Sequence, residues 1–386
     1  MVVEKVGRKL RIALCSAGEL YGGVEQFIYL YAQHLQAMEQ AGVIVILFHR
    51  GKLSKRLEDA DIETHVVHSR FKYDPRVVTV LARIFRRRRI DVVHTNGYKA
   101  NTLCAVAARR AGAVVVKTEH GLVETALRPN KSALKSYFNR ALDQLVTLAL
   151  TNHVVYVTHD LAGRFRLIHR KKRRTVIHNA IAPIDSCRTG KADALDRNRF
   201  NVGIVGRVDE VKGHVFLLKA VEALAGLHDL QVHILGNGPL EARLREFCLT
   251  HRLEPKVRFW GFHEDIHELM RGLDVLVMPS LHEGLPYTLL EAMYLRIPVI
   301  ASAVGGLREI LRDEVNALLV APANHQELAN AMRRLHDDSE LRERLVRRAF
   351  ADVTSRFMIT DMAQKYVKVY GSVLDTARRS LDATCQ

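Results

Sequence analysis

Glu283 and Glu291 stand eight residues apart in the segment from Pro279 to Tyr294, PSLHEGLPYTLLEAMY. A carboxylate pair at this separation arises about once by chance in a chain so long and charged. Its weight therefore comes from context. The apolar run 274–279 reads as a buried strand that stops at Pro279, and 280–286 as a loop. Pro286 is placed to open a helix over 287–295, and 298–302 reads as the next strand. Glu283 is then expected at the carboxyl edge of a parallel sheet, where open α/β folds bind ligands. Glu291 falls about one turn into a helix whose first N–H groups attract anions. One carboxylate facing a crevice, another within reach of hydroxyls and a positive helix end between them suit a ligand with both sugar and phosphate parts.

Two cations extend that pattern. The strand 200–205 runs into Gly206-Arg207-Val208-Asp209-Glu210-Val211-Lys212-Gly213. Arg207 offers a planar fork and Lys212 a point charge, so on one loop the two can hold a diphosphate. Gly236, in Gly236-Asn237-Gly238-Pro239, marks a similar strand-end loop, and Gly22 and Gly23 follow the first strand of the chain. Such glycines permit close backbone approach to a ligand, or simply a tight turn. His120 ends another strand just before Gly121, with Glu119 as a neighbour that could pair with it. His94, His159 and His178 have weaker cases, and Asp59 and Asp61 read as solvated. No Gly-x-Gly-x-x-Gly fingerprint occurs, and no metal site is expected.

The elements that must position these residues alternate strand with helix through both halves. In the first half the strands read 11–17, 43–48, 64–67, 91–95, 113–118 and 153–157; in the second, 200–205, 232–235, 257–260, 274–278, 299–301 and 317–320. This alternation argues for parallel sheets covered on both faces. The expected architecture is α/β: two doubly wound Rossmann-like domains facing one another across a cleft. The first spans 1–182, a polar linker 183–199, and the second 200–355. A terminal helix over 356–376 is expected to cross back to the first domain.

Charge divides the halves. The chain holds 58 Lys and Arg against 42 Asp and Glu, yet residues 1–190 carry 32 against 15 and the rest 26 against 27. The densest runs, Arg86 to Arg89 and Arg170 to Arg174, follow apolar-periodic stretches 77–85 and 161–168 that read as amphipathic helices with basic ends. An anionic membrane surface is the favoured partner. Nucleic acid is not expected, because no helix-turn-helix, zinc or aromatic RNA-binding signature accompanies the charge; part of it simply complements helix dipoles. Five cysteines without metal-ligand spacing point to a reduced compartment. The expected location is cytoplasmic, peripheral on the cytoplasmic membrane face.

These segments resemble the retaining glycosyltransferases of family 4, which have the GT-B fold. The resemblance runs over nearly the whole chain, through Gly22-Gly23, Gly206-Arg207 to Gly213, Gly236 to Gly238 and the Glu-x7-Glu element with its flanks. It implies a metal-independent hexosyltransferase without cofactor, with a nucleotide sugar as co-substrate held mainly by the second domain. Arg207 and Lys212 would hold the donor diphosphate and Glu291 the ribose, while Glu283 would contact the transferred sugar. Gly284, Leu285 and Pro286 would line the donor site; Gly23 would approach the phosphates, and His120 would lie beside the sugar. The first domain would bind a glycan or lipid-linked acceptor in cell-envelope polysaccharide biosynthesis. A GT-B-fold sugar epimerase, a soluble glucan or sucrose-type synthase, and an inactive basic membrane-binding module stay open as alternatives. Where the family often has Ser, Asn-Gly and Trp, this chain has Thr158, Asn179-Ala180 and Phe357-Met358.

Overall fold

A computed structural model describes residues 9–19, 21–39, 41–121, 132–184, 195–263 and 265–382. The chain divides into two compact units, Met1–Ala182 with Ile359–Gln386, and Pro183–Met358. In the first, the order is β1 (Leu10–Ser16), α1 (Gly23–Ala37), β2 (Ala41–Leu47), α2 (Lys52–Asp59), β3 (Thr64–Val66) and α3 (Pro75–Arg87). There follow β4 (Val92–Asn96), α4 (Tyr98–Ala111), β5 (Val114–Glu119), α5 (Ser132–Leu150), β6 (His153–Tyr156), α6 (His159–Arg164) and β7 (Arg173–Val176). The strands lie in the order β3-β2-β1-β4-β5-β6-β7, all parallel. Ile44, Val45 and Ile46 of β2, Val92 and Val93 of β4 and Val114, Val115 and Val116 of β5 are buried, and such β-branched side chains suit a sheet covered on both faces.

The second unit runs β8 (Phe200–Val205), α7 (His214–Ala223), β9 (Leu230–Leu235), α8 (Glu241–Thr250), β10 (Val257–Gly261), α9 (Ile266–Arg271) and β11 (Val275–Met278). It continues through α10 (Tyr287–Tyr294), β12 (Val299–Ser302), α11 (Leu307–Ile310), β13 (Leu318–Val320), α12 (His325–Asp337) and α13 (Ser339–Arg356). Its parallel sheet has the order β10-β9-β8-β11-β12-β13. The chain winds outward from β8 to one side and from β11 to the other. The switch point of the sheet therefore lies between β8 and β11, where doubly wound sheets open a crevice at their strand carboxyl ends.

After α13 the chain enters α14 (Ile359–Asp382), which belongs to the first unit. Ile359 N–H donates to the carbonyl of Ile181 at 2.8 Å, fixing its start. Buried tyrosines hold it to the sheet: Tyr370 Oη lies 2.7 Å from Nδ1 of His94 and 3.1 Å from Tyr31 Oη, and Tyr366 Oη 3.1 Å from Thr118 Oγ1. Phe357, where the family often has Trp, is buried, and Thr158 caps α6 by accepting from Leu161 N–H.

Four sequence expectations change. Residues 173–176 form an edge strand, so Arg173 and Arg174 are not the basic end of a helix. The helix expected over 161–168 is only His159–Arg164, and the chain turns from there to Lys172. In α3 the apolar residues Val77, Val78, Leu81, Ala82 and Phe85 are all spent on the core. Glu119 pairs with Lys117, and His120 with Asn96. Much of the linker expected over 183–199 lies outside the described residues.

Candidate functional site

In the second unit the loops after β8 and β11 flank the switch point, and two side chains meet there. Lys212 Nζ donates to Glu283 Oε1 at 2.7 Å, and Ser280 Oγ donates to the same oxygen at 2.7 Å. Glu283 is buried, and Lys212 is partly exposed. A carboxylate leaves water readily only when donors replace its hydration; the ammonium and the hydroxyl supply them. Both fall on Oε1, so Oε2 remains as the acceptor for a ligand hydroxyl.

Backbone packing holds this pair in register. Gly213 has φ +70°, and a Cβ there would lie 2.1 Å from the carbonyl oxygen of Pro279. Only glycine lets the Lys212 loop press against the end of β11. At Gly305, φ is +45° and a Cβ would come within 2.2 Å of the Glu283 carbonyl oxygen, which accepts from Gly306 N–H at 3.1 Å. The loop after β12 thus braces Glu283 from behind.

Asp209 joins the two cations. Its Oδ1 accepts from Lys212 N–H at 3.0 Å and its Oδ2 from Arg207 Nε at 2.7 Å. Arg207 is exposed. Gly236 packs so closely on the β8 loop that a Cβ would lie 2.0 Å from the Gly206 carbonyl oxygen, bringing the loops of β8 and β9 together.

The loop 284–286 leads into α10, whose N-cap Pro286 offers no side-chain cap. The positive end of the α10 dipole favours an anion here. Glu291 is buried on this helix, with His267 Nε2 of α9 3.3 Å from its Oε1. Arg207, Lys212, Gly236, Glu283, Gly284, Leu285, Pro286 and Glu291 thus all belong to one edge of one sheet. Diphosphate-sized negative charge and sugar hydroxyls are what such an edge can bind.

Gly22, Gly23 and His120 belong to the first unit. Gly22 N–H donates to Glu25 Oε2 at 3.2 Å, and both glycines are exposed at the start of α1. His120 Nε2 lies 2.7 Å from Asn96 Oδ1, and its ring packs edge-on against Phe27 of α1 at 4.9 Å. Burial pushes its pKa down to about 3, so the ring is neutral, and its Nδ1 is a buried atom without a partner. A neutral imidazole offering one free nitrogen can accept or donate a single hydrogen bond to a hydroxyl.

Sequence reasoning missed Ser280, Asp209, Asn96, His267 and Gly305. Ser280 and Asp209 sat inside the motifs already singled out. The pair Gly305-Gly306 after a strand carried the same signal as Gly22-Gly23 and could have been read that way. Asn96 and His267 give no local sign, because only the fold brings them to His120 and Glu291.

Two family models match the chain: "Glycosyltransferase Family 4" over residues 21–183 and "Glycosyl transferases group 1" over 190–352. An uncharacterized glycosyltransferase of Methanocaldococcus jannaschii is 33% identical over 177 residues, 45% of each chain. That match spans about half the length of the relative. The UDP-Gal:alpha-D-GlcNAc-diphosphoundecaprenol alpha-1,3-galactosyltransferase of Escherichia coli is 25% identical over 354 residues, 86% of this chain and 89% of that one. The crystal structure of Anabaena Alr3699/HepE in complex with UDP-glucose superposes with a TM-score of 0.80 at 22% identity, covering 94% of this chain and 100% of that one. It shares the fold.

Proposed function

Because this chain belongs to the family 4 glycosyltransferases and has the GT-B fold, we propose that it transfers a hexose, with retention, from a nucleotide sugar to a lipid-linked or envelope-polysaccharide acceptor. The observation that carries this reading is the Lys212–Glu283 pair, held at 2.7 Å across the switch point of the second sheet. Lys212 and Arg207 take the diphosphate, aided by the positive end of the α10 dipole. Glu291 takes the ribose hydroxyls. Glu283 Oε2 takes a hydroxyl of the transferred sugar.

Chemistry follows from that placement. The bond between the anomeric carbon and the diphosphate oxygen breaks, and its electron pair leaves with the phosphate. Lys212, Arg207 and the helix end stabilise that departing charge. The acceptor oxygen bonds to the anomeric carbon on the same face, and its proton passes to a donor phosphate oxygen. Glu283 sits beside the sugar while positive character develops there, orienting it rather than attacking it. His120, neutral and with a free Nδ1, supplies one hydrogen bond to a sugar hydroxyl.

The E. coli relative's diphosphoundecaprenol acceptor is the source of the lipid-linked acceptor class. UDP-glucose, the ligand of the Anabaena structure, is the first donor to try, with GDP- and ADP-sugars beside it. Thermal stabilisation by one donor, release of its nucleoside diphosphate only with acceptor, and a fall of about 10²–10³ in kcat for Lys212→Ala are expected. No shift with any nucleotide sugar, or near-normal turnover by Lys212→Ala, would overturn the proposal.

A further inference from the structure

Helix α5 turns a mixed polar and apolar face inward and leaves a stripe of large apolar side chains exposed. Its polar residues face inward: Asn139, Asp143 and Thr147 are buried, at spacings of four that share one face. Leu142, Val146 and Leu150 turn inward with them, but among the described residues the rest of its large apolar side chains face outward. Tyr137, Phe138, Leu145 and Leu148 are 73%, 60%, 63% and 42% exposed, and 137, 145 and 148 fall on one stripe. Exposed apolar stripes of this kind mark interaction surfaces.

The orientation is held by charge. Lys117 on β5 is fully buried, and its Nζ donates to Asp143 Oδ2 at 2.7 Å and to Thr147 Oγ1 at 3.2 Å. Asn101 of α4 donates to Asp143 Oδ1 at 2.8 Å, and Tyr73 Oη to Asn139 Oδ1 at 2.9 Å. Rolling α5 to bury Leu145 and Leu148 would take Asp143 from the buried Lys117 ammonium and leave it Glu119 alone. The apolar face is therefore fixed outward.

The turn after α6 lies along the same helix. His169 Nε2 is 2.7 Å from Gln144 Oε1, Lys172 Nζ donates to the Thr151 carbonyl at 2.7 Å, and Arg140 of α5 lies over the Phe165 ring. This turn adds Leu167 and Ile168, 78% and 44% exposed. Around these side chains Arg140, Arg164, Arg166, Arg170 and Lys171 are exposed. The acidic residues of 136–184 are Asp143, consumed by Lys117, and Asp160, paired with Arg164 at 2.8 Å.

We propose that this face of α5 and the 165–172 turn docks the first unit on an anionic lipid surface. Apolar side chains would enter the headgroup boundary while the arginines meet lipid phosphates, as interfacial helices do. A second copy of the chain fits poorly, because two strongly basic rims would then oppose each other. Among the described residues no helix is long and apolar enough to cross a membrane, so the contact is interfacial. The inference deepens the reading of a lipid-linked acceptor, but it concerns binding and is tested without turnover.

The full chain is sedimented with vesicles of phosphatidylcholine containing 0 or roughly one-third phosphatidylglycerol, at low and high salt. Binding to the anionic vesicles that weakens at least tenfold in high salt, and at least tenfold in Leu145→Glu/Leu148→Glu, is expected. Leu167→Asp, off the helix, should reduce it as well, which covers a folding defect in the α5 variant. Glu283→Ala should bind vesicles as the parent does, so loss of transfer and loss of docking are separable. No binding to anionic vesicles, equal binding to neutral ones, or a dimer that the α5 substitutions dissociate while vesicle binding stays unchanged would each overturn the proposal.

Discussion

Glu283→Gln keeps the shape of the side chain and an acceptor for Ser280 but removes the charge that Lys212 answers. In the unliganded site the Lys212 ammonium is engaged by that carboxylate at 2.7 Å. A diphosphate must share the ammonium with it, and the carboxylate also repels the incoming phosphates. For a phosphate about 6 Å from the carboxylate and an effective dielectric of about 40, one unit of charge is worth about 1.4 kcal/mol, or tenfold in Kd. Glu283→Gln is therefore expected to bind the nucleoside diphosphate about tenfold more tightly. Transfer should fall by about 10²–10³, because the amide no longer answers the positive character of the sugar in the transition state. Calorimetry with UDP and GDP, beside initial rates with the matching donor, separates the two effects. Unchanged or weaker diphosphate binding would refute the idea that Lys212 is shared; retained turnover would refute the role given to Glu283.

Three other outcomes rest on separate observations. Gly305→Ala, whose Cβ would meet the Glu283 carbonyl at 2.2 Å in a left-handed conformation, should lower kcat by about 10–100-fold through displacement of Glu283; a kcat within twofold of the parent would count against the bracing loop. Asp143→Ala leaves the buried Lys117 without its best partner and should cost about 3–5 kcal/mol, read as a lower urea midpoint; a loss under about 1 kcal/mol would mean that Glu119 suffices. Burial, with His120 adding to it, pushes the His94 pKa down to about 3. The unfolded histidine binds a proton near 6.5 and the folded one does not, so this contribution is complete above about 6.5 and shrinks as pH falls toward 3. At pH 5 the loss is about 2 kcal/mol, and the fall in stability between pH 7 and 5 should shrink by that amount in His94→Gln.

How much of this was legible in the sequence depended on where the signal lay. Lys212 and Glu283 sit on loops after strands and Glu291 on the helix that follows one, where Pro279, Pro286 and the glycines of 206–213 punctuate the chain. Punctuation of that kind is local, so strand, loop and helix could be read along with the chemistry they carry. The edge strand β7 escaped because Arg173-Arg174-Thr175-Val176 has an exposed, basic pattern, and at a sheet edge one neighbouring ladder replaces a hydrophobic core as the reason for pairing. Its basic run was credited to a helix end for the same reason.

The rotation of α5 lay deeper still. An amphipathic period shows that a helix has two unlike faces, but it cannot say which of them turns inward. The usual assumption, apolar in, serves α3, whose Val77, Val78, Leu81 and Phe85 fill the core. It holds only in part for α5, where Leu142, Val146 and Leu150 turn inward but Leu145 and Leu148 do not, because Lys117 lies 26 positions before Asp143 and reads, in sequence, as one polar residue interrupting an apolar strand. Buried between sheet and helix, its charge takes Asp143 as well as Glu119: removing one partner from a buried ion pair costs about 3–5 kcal/mol, whereas each exposed leucine forgoes roughly 1.5–3. Against that loss, the two exposed leucines leave the balance close, and the hydrogen bonds from Asn101 to Asp143, from Lys117 to Thr147 and from Tyr73 to Asn139 decide it. A helix held outward on so narrow a balance is what a surface that meets lipid requires, since the bilayer returns the hydrophobic free energy that the core did not take.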